Sequence, residues 1–104
     1  RAYAWTNAMS GGALTGAITT AFAGTTGVTD AMIDVASTNV SGGGLNHPGG
    51  ASTTTAAANL ATATNFARNA VRSADWVYSI SAANGASIAA GSDSMTITYT
   101  ATTL

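Results

Sequence analysis

A histidine held beside a serine and an aspartate can make a nucleophile, and this chain has one histidine, ten serines and four aspartates. In such a set the imidazole takes the hydroxyl proton while the carboxylate fixes the ring's tautomer and orientation. His47 stands before Pro48 in a glycine-rich run, Gly42-Gly43-Gly44-Leu45-Asn46-His47-Pro48-Gly49-Gly50. Nothing periodic surrounds it to hold the ring, so the expectation is an exposed loop histidine. Asp30 and Asp34 lie four residues apart, which on a helix places two carboxylates one turn apart. They could share a cation, but the EF-hand spacing is missing, and two solvated acids at a helix start is the simpler reading.

Other chemistries are excluded by what the chain lacks. It has no cysteine, hence no thiol nucleophile, cysteine-ligated zinc or disulfide scaffold. One histidine cannot form a multi-histidine metal site within a chain. The runs Gly11-Gly12 to Gly16 and Gly42-Gly43-Gly44 lack the Lys-Ser/Thr that grips a nucleotide phosphate. The expectation is no enzyme, no cofactor, no metal and no small-molecule substrate.

The whole composition points away from an ordinary soluble surface. Of 104 residues, 64 are Ala, Thr, Ser or Gly, and only 7 are charged, where a typical chain of this length carries about 26. Lys, Glu and Gln are absent, and the net charge is −1. Arg1, Arg68 and Arg72 are too few to displace counterions from nucleic acid or to bind an anionic membrane. Residues 2–29 carry no charge, but their apolar part, Ala13 to Ala23, is far short of the roughly 20 residues a spanning helix needs. No signal peptide is visible, and the absence of an initiator Met suggests a processed or trimmed N-terminus. Near-zero net charge and clear periodicity argue for a folded chain rather than a disordered one.

Elements that could position these residues follow from spacing. Tyr3 and Trp5 share one face of a short N-terminal strand. Leu14, Ile18 and Phe22 recur at i, i+4, i+8 before Gly24, which predicts a short helix, with Gly12 and Gly16 allowing close approach of another helix. Met32, Ile33, Ala36 and Val40 fit a second helix after Thr29, although Ile33 and Val35 also alternate as in a strand. Residues 41–55 hold five glycines and the only proline, and read as a flexible loop. Leu60, Ala63, Ala67, Ala70, Val71 and Ala74 give an alanine seam that predicts the longest helix over 56–74, with Phe66 off the seam. Arg68 and Arg72 then fall one turn apart, and Asp75 is placed to pair with Arg72. Trp76, Tyr78 and Ile80 alternate, Asn84-Gly85 signals a hairpin, Ala86 to Ala90 gives a short strand, and residues 94–103 alternate Met95, Ile97, Tyr99 and Ala101 against four threonines.

The expected fold is α+β: one small domain over 1–104, with Ala-rich helices packed on a three-stranded antiparallel β-meander formed by residues 76–103. Such a chain has few bulky side chains for a core and no disulfide or metal to help, so association is the remaining route to rigidity. Its lack of Lys and Glu matches the depletion of those residues at protein interfaces. The composition resembles that of extracellular filament subunits and of virion coat or decoration proteins as broad classes.

The expected function is therefore structural, a subunit that self-assembles into an extracellular, pilus-like filament or a virion shell, with copies of itself as partner. Tyr3, Trp5, Trp76 and Tyr78 are candidate aromatic anchors between subunits. Leu14, Ile18, Phe22, Phe66 and Tyr99 are further interface candidates. The competing expectation is a monomeric extracellular binding module, adhesin-like or ice-binding, the latter suggested by the row of threonines on the last strand.

Overall fold

The computed structural model describes residues 1–42, 45–49, 55–56, 60 and 62–104 of the chain. Among them, seven strands form: β1 (Ala2–Ala4), β2 (Gly12–Thr20), β3 (Ile33–Ser41), β4 (Thr55–Ala56), β5 (Thr64–Phe66), β6 (Arg72–Ile80) and β7 (Thr96–Thr103). Helical structure among the described residues is a 3-10 turn at Asp30–Met32 and one turn of α-helix, α1 (Ala82–Gly85). The strands pair antiparallel in two sheets, ordered β1-β6-β3-β4 and β5-β2-β7.

The two sheets share a core. Leu14 on β2, Phe66 on β5 and Ala74 on β6 meet Leu45 at its centre, with Ala2, Ala4, Trp76 and Tyr99 packed around them. The indole of Trp76, from one sheet, lies 4.9 Å from the ring of Tyr99, from the other. Opposed inner faces of this kind define a β-sandwich.

The α+β expectation is overturned, and the strand period explains how. Leu14 and Ile18 are separated by an even number, so they also share one face of β2, and Phe22 lies past its end. Gly12 and Gly16 occupy the inward positions between and beside them. At Gly12 a Cβ would sit 2.4 Å from the Phe66 ring, so the glycine admits that ring rather than a second helix. Ile33 and Val35 follow their alternation into β3, not the helical reading.

The longest predicted helix fares no better. Residues 57–59 and 61 lie outside the described residues, but Thr64–Phe66 is strand, Asn69 turns the chain at φ 58° and β6 begins at Arg72. High alanine propensity is a weak prior that tertiary packing overrides. An alanine seam offers little area to bury, whereas Phe66 anchors β5 in the sandwich core.

The meander is also corrected. β6 and β7 belong to different sheets. Asn84-Gly85 closes α1 instead of a hairpin, and Ala86 to Ala90 forms no strand. Ser81 favours that helical turn, because its Oγ accepts from the Asn84 N–H at 3.1 Å and caps it. No helix among the described residues is long and apolar enough to cross a membrane.

Candidate functional site

The glycine-rich run, read from its sequence as a flexible excursion, extends partly outside the described residues. Its described part behaves as a buried strap. Leu45, His47, Pro48 and Gly49 are all buried. The strap is tied to three strands: the His47 N–H donates to Ser37 Oγ at 3.0 Å, Trp76 Nε1 donates to the Leu45 carbonyl at 2.9 Å, and Thr64 Oγ1 donates to the Asn46 carbonyl at 2.8 Å. The Gly49 N–H reaches the Thr62 carbonyl at 2.8 Å.

His47 is thus 2% exposed rather than solvated. Its ring stands edge-on to Trp76, Tyr78 and Tyr99, at centroid distances of 5.1, 6.0 and 5.3 Å. Nε2 shares a short hydrogen bond with the Tyr99 hydroxyl, which shares another with the Tyr78 hydroxyl. Nδ1 has no hydrogen-bond partner among the described residues. Burial pushes the imidazole pKa below its ordinary value, and the Pro48 backbone opposes this more weakly. Burial also pushes the Tyr99 phenol well above the ordinary range, reinforced by the hydrogen bond and charge of Tyr78. A neutral imidazole and a proton-retaining phenol suit a packed polar network. Among the described residues, no serine hydroxyl or carboxylate hydrogen-bonds the ring.

The other sequence candidates scatter. Leu14 and Phe66 lie in the core, Trp76 and Tyr99 are half-buried against it, and Ile18 and Phe22 are half-buried. Tyr3, Trp5 and Tyr78 are exposed. Asp30 lies in the 3-10 turn and accepts the Phe22 N–H at 3.2 Å, while Asp34 is on β3. Asp75 pairs with Arg1 at 3.3 Å, not Arg72, and also accepts from Asn39 Nδ2 at 2.7 Å. Sequence reasoning missed the buried strap, although a lone leucine beside His-Pro in a glycine run was its available signal.

The outer surface carries four notable features. First, β7 is the outermost strand of its sheet, eight residues long, without Lys, Pro or any charge. Native edges are usually blunted by such devices or by short length, as β1, β4 and β5 are. Second, register places Thr15 opposite Thr100, Ala17 opposite Thr98 and Thr20 opposite Thr96. The hydroxyls of Thr15, Thr19, Thr96, Thr98, Thr100 and Thr102 are thereby spread over one exposed face in two rows, with Thr19 and Thr98 linked at 2.9 Å.

Third, Tyr3, Trp5 and Met9 point outward with 69%, 56% and 84% of their surface exposed. Fourth, an open groove of about 340 Å³ lies between the far end of β6 and the segments around Val28 and Ile88. Asp93 holds its walls together by accepting from Thr26 Oγ1 and the Gly24 N–H at 3.0 and 3.1 Å.

Comparison with protein-family models, with curated proteins and with solved structures finds no match to this chain.

Proposed function

We propose that this protein is a structural subunit that self-assembles, in an extracellular filament or a virion shell, and that its work is mechanical rather than catalytic. The observation that carries this reading is the open, uncharged edge of β7. Along its eight residues, the backbone N–H and C=O groups that point away from β2 have no partner strand among the described residues. A row of that kind is a template for another chain. The exposed Tyr3, Trp5, Met9 and Tyr78 add large apolar surface of the type that anchors interfaces.

Negative-stain imaging of the purified protein tests the proposal, with the Thr98→Lys/Thr100→Lys variant beside it. Regular polymers from the wild type, and scattered single particles from the variant, are the expected result. Abundant single particles from both would contradict it.

A second reading rests on a separate observation, the two rows of threonine. Along a strand, alternate residues repeat at about 7 Å, and neighbouring strands lie about 4.8 Å apart. An uncharged hydroxyl array, complete on β7 and broken on β2 at Ala17, could on a binding module order water and dock on ice. Inhibition of ice recrystallisation by the wild type, lost on Thr15→Asp/Thr100→Asp, would favour this reading; no inhibition at any concentration would dismiss it.

A further inference from the structure

We infer that the outward ridge of Tyr3, Trp5 and Met9 on one copy seats in the groove beside Tyr78 and Ile88 on the next, making a head-to-tail joint. This rests on the self-assembly reading and adds a second joint to the one at the β7 edge. The ridge exists because residues 1–8 alternate in burial beyond the three that join the ladder. Ala2, Ala4, Thr6 and Ala8 face the body of the molecule, while Tyr3 and Trp5 face away. The Asn69 N–H donates to the Thr6 carbonyl at 2.7 Å and holds the segment down past β1. Small residues inward and large ones outward is the reverse of what a lone domain requires.

The groove is the matching concavity. Phe22, Ile33, Tyr78 and Ile88 give it apolar walls. Its shape is fixed in advance, since the Asp93 contacts and the Ala89 N–H, donated to the Thr26 carbonyl at 2.8 Å, knit the loops that form it. A preformed site spares the ordering cost of binding. Charge is also complementary: the first ten residues carry a cation, Arg1, which also pairs with Asp75, and no acid, whereas the groove and its lip carry Asp93 and Asp30 and no base.

Position excludes the chain's own ridge as the occupant of its groove. β1 pairs with Arg72, Ser73 and Ala74 at one end of β6, and the groove is lined by Tyr78, Ser79 and Ile80 at the other. Several residues of strand, at about 3.4 Å each, separate the ridge from the groove, so the described arrangement cannot fill its own groove. A contact between two different patches is heterologous, and repeats as an open chain unless its rotation closes a ring.

Two full-length variants test the joint. Trp5→Ala/Met9→Ala removes two of the ridge's three large side chains, and Ala89→Arg blocks the groove; all three positions are exposed, so neither change touches the core. With the wild type polymeric in sedimentation velocity, each variant alone requires at least a tenfold higher concentration to assemble. An equimolar mixture assembles at a lower concentration than either variant alone, because one intact ridge meets one intact groove. Variants that polymerise like the wild type, or a mixture that assembles no better than either variant alone, would overturn the joint while leaving self-assembly in place. A wild type that never assembles would overturn both.

Discussion

Protonation of His47 has nowhere favourable to put its charge. The groups facing the ring are Trp76, Tyr78 and Tyr99, and none of them is a carboxylate. The folded pKa is therefore depressed below the unfolded value near 6.5, so the unfolded chain binds the proton more readily. Stability is then level above about pH 6.5 and falls as the pH drops from there toward the folded pKa, at no more than about 1.4 kcal/mol per pH unit. Urea unfolding of dilute protein between pH 5 and 8 should show that fall, and His47→Phe should flatten it. An equal acid-side loss in both proteins would contradict the assignment. Side chains that differ in burial should also differ in cost. Phe66→Ala, in the core, should lose about 3–5 kcal/mol, whereas Trp5→Ala should change the unassembled subunit by about 0.5 kcal/mol or less, both read from denaturant midpoints.

Strands, not helices, carry this fold, and Gly12 on β2 shows what their packing demands. A β-branched residue ordinarily favours a strand, yet Gly12→Val would drive a side chain into the Phe66 ring. The expected outcome is a loss of about 1–3 kcal/mol from overpacking; a stabilised variant would refute the close approach. β7 makes a different prediction. In a dilute subunit its amides on the open side should exchange quickly and those bonded to β2 slowly, and assembly should protect the open set. The β7 alternation was legible from Ile97 and Tyr99 against the threonines, as was that of Trp76, Tyr78 and Ile80 on β6, because each strand has one half-buried face. The helices were misread because Leu14 and Ile18 stand four apart, a spacing that fits both periods, and because alanine promotes helices without supplying area to bury. His47 was misread because a glycine run says nothing about tertiary burial. The threonine row of β7 was visible in the sequence, but its neighbour on β2 was hidden behind the helical reading.

As a whole molecule the protein is long and thin, 49 × 24 × 18 Å, and among the described residues its largest fully buried side chains are Leu45, Val35 and Pro48. Among the described residues one ion pair, Arg1 with Asp75, is present, and a surface pair of that kind contributes little. Small buried side chains, exposed aromatics and an unguarded edge support the proposal of a subunit whose stability is linked to its neighbours by mass action. Sedimentation velocity across a hundredfold dilution, with thermal unfolding followed on the same samples, tests that claim most directly. Species many times the 10.1 kDa subunit at the high end, shrinking on dilution while the unfolding temperature falls with them, are the predicted result. A single 10 kDa boundary at every concentration, with one unchanging unfolding temperature, would contradict it.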